Sequence, residues 1–137
     1  MITAYTDGGS RGNPGPAGYG VVFIDDSGAE VGELRGAVGV TTNNVAEYEG
    51  LLAALRHALD QGWRELRVRS DSLLLVQQMK GVYRVKHPGL QPLQQEAARL
   101  AARIGRVVFE HVGRSSNARA DKLANKAMDD AAHVPSA

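Results

Sequence analysis

Thr42-Asn43-Asn44-Val45-Ala46-Glu47-Tyr48-Glu49-Gly50-Leu51-Leu52-Ala53-Ala54-Leu55-Arg56-His57-Ala58-Leu59-Asp60-Gln61-Gly62 is the stretch in which the chain changes period. Apolar residues fall at Val45, Tyr48, Leu52, Leu55 and Leu59, a 3,4,3,4 spacing that lines one face of an α-helix. Thr42, Asn43 and Asn44 offer short polar side chains to cap its start, and Gly62 ends it. Upstream the period is that of strands. Ile2–Thr6, Tyr19–Ile24 and Glu30–Val38 read as three strands, with Asp25-Asp26-Ser27-Gly28 as the turn between the last two. They form a meander of hairpins. Downstream the pattern alternates. Leu66–Ser70 reads as a strand, Asp71–Met79 as a helix, Leu90–Ile104 as a helix between Pro88 and Gly105, and Val107–Val112 as a fifth strand. A loop over Gly113–Ser116 leads to a closing helix, Asn117–Ala132, with small residues at Ala120, Ala124, Ala127 and Ala131. A hairpin block followed by alternating helices and strands predicts an α/β fold: a mixed sheet with helices packed on its faces.

The chain has 137 residues, which suits a single domain over 1–137 with one core. It is 43% apolar and contains no cysteine, so disulfides and thiolate metal sites are excluded and a reducing compartment fits. The N-terminus reaches the charge of Asp7 too early for a signal peptide, and no apolar run approaches the roughly 20 residues of a membrane span. A cytoplasmic protein is the expectation. The net charge is only +1, so any contact with nucleic acid must come from local clusters. Three groups stand out: Arg64, Arg67 and Arg69; Arg84 and Lys86; Arg114, Arg119, Lys122 and Lys126. The stretch from Gly8 to Gly18 is dense in Gly and Pro and reads as a tight, shaped loop. It is no Walker motif, because no Gly-Lys-Ser/Thr follows. Its glycines suit close backbone approach to a groove. The tail from Asp129 to Ala137 is either disordered or packed onto the sheet.

Four acids occupy element ends. Asp7 is read as closing the first strand in Tyr5-Thr6-Asp7, and Asp71 as closing the fourth in Arg69-Ser70-Asp71. If those strands are parallel neighbours, both carboxylates reach the sheet edge where ligands collect in α/β folds. Glu47 lies one position off the apolar stripe of its helix, in the early turns. Asp121 lies likewise beside Ala120 and Ala124. Each acid alone has an ordinary explanation, as a turn residue or as a charge favoured at a helix N-terminus. Gathered together they would repel one another and take up protons. Hard divalent cations resolve that conflict, because Mg²⁺ and Mn²⁺ prefer oxygen ligands and bridge carboxylates to phosphates. Two such ions can drive phosphodiester hydrolysis. Zinc is disfavoured, since His57, His87, His111 and His133 show no ligand spacing.

The run Thr6-Asp7-Gly8-Gly9-Ser10-Arg11-Gly12-Asn13-Pro14-Gly15-Pro16-Ala17-Gly18 resembles the opening motif of type 1 ribonuclease H. Thr42-Asn43-Asn44-Val45-Ala46-Glu47 resembles the second motif of that family, Ser70-Asp71-Ser72 the third, and His111-Val112-Gly113-Arg114-Ser115-Ser116-Asn117-Ala118-Arg119-Ala120-Asp121 the fourth. The resemblance implies a ribonuclease H-like fold, with a five-stranded mixed sheet made of an antiparallel three-stranded hairpin block plus two parallel strands, flanked by helices. It implies cleavage of the RNA strand of RNA–DNA hybrids by a two-metal-ion mechanism, leaving 3′-hydroxyl and 5′-phosphate ends. It implies Asp7, Glu47, Asp71 and Asp121 as ligands of two Mg²⁺ ions, for which Mn²⁺ can substitute, and a monomer with no obligate protein partner. His111 matches a family histidine on a mobile loop that assists proton transfer or product release. Asn13, Thr42, Asn43, Asn44 and Ser72 match positions that touch the hybrid, where amides and hydroxyls read 2′-hydroxyl groups. Asn43 has the alternative of simple helix capping.

The sequence also departs from the family. After Gly81 only Val82 to Pro88 separates two helices, where well-known bacterial members carry a long basic protrusion. The chain resembles the compact subgroup lacking it, and position 73 is Leu where some members have a polar contact residue. No N-terminal hybrid-binding module and no fused phosphatase domain is expected. Weaker and more salt-sensitive substrate binding follows. The competing readings are a non-cutting nucleic-acid-binding module of the same fold, which should have lost one of the acids, and an integrase, resolvase or exonuclease with a different substrate.

Overall fold

The computed structural model describes residues 1–133. Strands β1 (Ile2–Ser10), β2 (Gly15–Ile24) and β3 (Glu30–Thr41) lead into helix α1 (Asn43–Asp60). Strand β4 (Glu65–Ser70), helices α2 (Leu73–Met79) and α3 (Gln91–Ile104), strand β5 (Arg106–His111), a 3₁₀ turn over Arg114–Asn117 and helix α4 (Ala118–Ala132) complete the order. The five strands form one sheet in the order β3-β2-β1-β4-β5. The β1–β2 and β2–β3 pairs are antiparallel, whereas β1–β4 and β4–β5 are parallel. The sheet is therefore mixed and helix-flanked, as the sequence predicts. The parallel register Thr6↔Ser70 brings the ends of the Tyr5-Thr6-Asp7 and Arg69-Ser70-Asp71 segments side by side.

The core lies between α1, α3 and one face of the sheet. Ala4, Val21, Phe23, Leu66 and Val68 from the strands meet Tyr48, Leu51, Leu52 and Leu55 of α1 and Leu100 of α3. Leu51 and Leu55 are fully buried, and each such side chain contributes about 1.5–3 kcal/mol of transfer free energy. α4 covers the opposite face over β2. Its buried side chains are small at Ala120, Ala124, Ala127 and Ala131, so its backbone can lie close to the strands.

That closeness corrects the reading of the Gly/Pro-rich segment. β1 continues through Gly8 and Gly9 to Ser10, β2 starts at Gly15, and the pairs Gly8↔Tyr19, Gly9↔Gly18 and Ser10↔Ala17 extend the hairpin. The loop is confined to residues 11–14, so Asp7 sits inside a strand and does not end one. Gly12 serves the loop with φ +94°, whereas Gly8 and Gly18, and Gly20 just beyond the segment, are present for space. A Cβ on Gly8 would lie 2.5 Å from the Ala46 backbone of α1, and one on Gly20 would lie 2.4 Å from the Ala120 carbonyl of α4. These close approaches are to the protein's own helices.

Smaller differences follow from caps. α2 begins at Leu73, two residues later than the sequence suggests, because the Ser72 hydroxyl accepts from the Leu75 N–H at 3.3 Å and sets the start there. The 3₁₀ turn replaces part of a loop and delays α4 to Ala118. Disorder from Asp129 onward is not what the structure has: Asp129–Ala132 is helical, and Ala131 is buried. Residues 134–137 of that tail lie outside the described residues.

Candidate active site

The parallel β1–β4 pair and the N-terminal turn of α1 meet at one edge of the sheet. Thr42 caps α1, its hydroxyl accepting from the Val45 N–H at 3.3 Å. The Asn13 side chain accepts from the Asn43 N–H at 3.0 Å. The Asn43 carboxamide oxygen accepts from the Ser10 N–H at 2.7 Å. Asn43 therefore does not cap its helix. It ties the helix start to the end of β1. Glu47, one turn into α1, is thereby pointed into the sheet edge and is only 9% exposed.

Asp7, Glu47 and Asp71 each bring a carboxylate oxygen within 4.8 Å of the others. Among the described residues this is the one such grouping of three or more acids, histidines or cysteines. Asp121 of α4 reaches the same place from the other face, close enough to share a hydrogen bond with Asp7. All four line an open cleft of about 630 Å³. Asn43, Asn44 and Ser72 line it too, while Asn13 and Thr42 stand behind its rim on the α1 cap. His111 ends β5, its Nε2 3.3 Å from the Asp71 carbonyl oxygen.

The electrostatics are those of a site short of positive charge. Burial, then the charge of Asp71 and the hydrogen bond with Asp121, push the Asp7 carboxyl up to about 8. Burial followed by the charges of Asp7 and Asp71 holds Glu47 well above the usual carboxylate range. Oε2 of Glu47 is buried and has no hydrogen-bond partner. A buried carboxylate oxygen with no donor is costly unless something positive meets it. The donor set is all oxygen, and it suits hard divalent cations. His57, half-buried, stacks on Phe23 with ring centroids 4.6 Å apart, away from the acid cluster.

Residues 5–127 match the family described as reverse transcriptase-like. The N-terminal ribonuclease H domain of Rv2228c from Mycobacterium tuberculosis, solved as a fusion with maltose binding protein, is 48% identical with a TM-score of 0.92, covering 96% of this chain and 95% of that one. The crystal structure of RNase H1 from Halobacterium salinarum is 42% identical with a TM-score of 0.90, covering 94% of this chain and 98% of that one. The chain belongs to the ribonuclease H family. LC11-RNase H1, solved in complex with an RNA/DNA hybrid, is a further similar ribonuclease H: 47% identical, TM-score 0.92, covering 96% of this chain and 99% of that one. This ribonuclease H chain spans 38% of the length of the full M. tuberculosis bifunctional protein, with which it shares 51% identity over 137 residues.

Two cleft contacts of this ribonuclease H escape a motif-based reading. Asn125 donates through Nδ2 to the Asp121 carbonyl at 2.9 Å and to its carboxylate at 3.3 Å. Its spacing of i+4 from Asp121 on a helix is the signal that could have found it. Arg11, also lining the cleft, pairs with Asp129 and donates to the Asn125 carbonyl. That pairing joins positions 118 residues apart, and local spacing carries no trace of it.

Proposed function

We propose that this chain is an endonuclease that hydrolyses the RNA strand of RNA–DNA hybrids with two Mg²⁺ ions, Mn²⁺ being able to substitute, and leaves 3′-hydroxyl and 5′-phosphate ends. The observation that carries this reading is the convergence of Asp7, Glu47 and Asp71 within 4.8 Å, with a buried Glu47 oxygen lacking any partner. The similarity to a ribonuclease H1 solved with an RNA/DNA hybrid supports the substrate.

Asp7, Glu47, Asp71 and Asp121 would hold the ions. When bound, Mg²⁺ supplies an acidified water and positive charge beside the leaving oxygen. In the net reaction the water oxygen joins phosphorus, the bond from phosphorus to the 3′-oxygen breaks, and that oxygen ends with a proton. His111, on the rim next to Asp71, is positioned to carry a proton to or from this place. Asn43, Asn44 and Ser72 present amides and a hydroxyl to a groove lined by 2′-hydroxyls. The start of α1 adds the positive end of an 18-residue helix dipole, which favours a phosphate. Asn13 and Thr42 fix that helix start and reach the same backbone. Arg11 and Arg114 supply cationic side chains to the cleft lining.

Among the described residues no helix is long and apolar enough to cross a membrane. The cysteine-free composition suits action on hybrids in the cytoplasm, as a monomeric domain. The test is incubation of an end-labelled hybrid, double-stranded DNA and double-stranded RNA with the protein and Mg²⁺, with and without chelator. Internal cuts in the RNA of the hybrid that vanish with chelator are expected. No cleavage with either Mg²⁺ or Mn²⁺, or cleavage indifferent to chelator, contradicts the proposal.

A further inference from the structure

Asn117 occupies the cap position of α4, yet its side chain makes no capping hydrogen bond. Asparagine is among the residues most favoured there, because its oxygen satisfies a free N–H of the first turn. Here the side chain turns the other way. Nδ2 donates to the Thr6 carbonyl of β1 at 2.8 Å, across 111 residues of sequence. Oδ1 is buried with no partner, and the residue is 1% exposed. A cap is forgone and an acceptor is left unsatisfied, both unfavourable for stability.

What the bond achieves is placement. Thr6 immediately precedes Asp7, and Asp121 stands one turn into the helix that Asn117 starts. Apart from the direct Asp7–Asp121 contact and the bonds made by Arg11, no other side-chain hydrogen bond joins β1 to the α4 end among the described residues. We propose that Asn117 is a positioning residue, a clamp that sets the separation of Asp121 from Asp7 and through it the metal affinity of the cleft. Asn125, at i+4 from Asp121, orients the same carboxylate from the solvent side.

The proposal rests on the cleft being the divalent-cation site put forward above, and its test keeps the two apart. Mg²⁺ affinity is measured without substrate, by calorimetry or NMR titration, for the wild type, Asn117→Ala, Asp121→Ala and the double variant. Steady-state cleavage of a hybrid is measured well below each melting temperature. Losing a partner of a metal-binding side chain commonly costs about 10–100-fold in affinity or activity. Asn117→Ala is expected to weaken Mg²⁺ binding and lower kcat within that range, with KM for the hybrid unchanged within about twofold. In the Asp121→Ala background the same substitution should leave Mg²⁺ affinity unchanged. A lowered melting temperature with wild-type Mg²⁺ affinity and kcat overturns the clamp, as does an undiminished effect in the Asp121→Ala background. If Asn117→Ala does not fold, Asn117→Ser takes its place with the same outcomes, and failure of both to fold shows a fold-holding role and overturns the proposal. Mg²⁺ shifts that follow the pattern in a wild type that cuts no hybrid would leave the clamp standing and remove the nuclease reading.

Discussion

Two acids close to the first hairpin show how differently one fold treats the same side chain. Asp25, in the turn between β2 and β3, accepts from the Ser27 N–H at 2.9 Å, the Ser27 hydroxyl at 2.6 Å and the Ala29 N–H at 3.0 Å. Those hydrogen bonds lower its pKa. Asp7, on β1, is buried beside three other acids, and its pKa is pushed up to about 8. Asp25 has every demand met by its own turn. Asp7 and Glu47 are left in want of a positive partner that the polypeptide does not supply. Glycines divide the same way. Gly28, φ +85° and with open space around it, serves the backbone of the turn, whereas Gly20 is needed for the room its missing Cβ leaves to α4. A turn is complete in itself, and the cleft is complete only with a ligand.

The largest effect should come from Asp7→Asn. Removing one anionic ligand forfeits several kcal/mol of transition-state stabilisation, so cleavage should fall by at least about a thousandfold. The fold should survive, and the metal-free melting temperature should rise as repulsion is relieved. Asp25→Ala should leave cleavage at the wild-type level and lower the melting temperature slightly through lost turn hydrogen bonds. Equal losses of activity in the two variants would erase the distinction between them.

Gly20→Ala comes next. Overpacking against a backbone commonly costs about 1–3 kcal/mol, seen as a drop of several degrees in the melting temperature. Gly28→Ala should cost about 1 kcal/mol, the penalty of a left-handed backbone for an ordinary residue. Thermal denaturation of both variants measures the difference directly.

A pH series sharpens the comparison further. The folded-state pKa of Asp7, about 8, lies above its unfolded value of 3.8, so the native state binds more protons between those limits. Stability from this group is fully present below pH 3.8 and is lost as pH rises through about 8. Glu47 acts in the same direction. Asp25 has the opposite sign, its contribution being lost as the solution turns acidic. Chemical denaturation without metal should therefore show stability falling from mildly acidic to mildly alkaline pH, and saturating Mg²⁺ should remove that fall. The smallest effect is on binding. Without a basic protrusion, hybrid affinity should drop steeply between low and moderate salt, and a flat response would contradict a binding mode built on a few phosphate contacts.

The architecture was largely written in local pattern. The apolar stripe from Val45 to Leu59 announces α1, and the similar endings of Tyr5-Thr6-Asp7 and Arg69-Ser70-Asp71 foreshadow neighbouring strands. The Gly8–Gly18 segment misled because glycine signals both a turn and a tight helix–sheet contact, and only packing tells them apart. The acids could be named as candidates from their places at element ends. Their protonation, the orphaned oxygen of Glu47 and the sideways reach of Asn117 arise from contacts between distant segments, which periodicity does not encode.

The most direct measurement is an NMR titration of side-chain carboxyl carbons with Mg²⁺ near neutral pH, in the absence of substrate. The account predicts saturable shifts at Asp7, Glu47 and Asp71, with release of the proton that Asp7 holds, and no response at Asp25. Carboxyl signals of Asp7, Glu47 and Asp71 that stay unmoved at saturating Mg²⁺ and at saturating Mn²⁺ would contradict it.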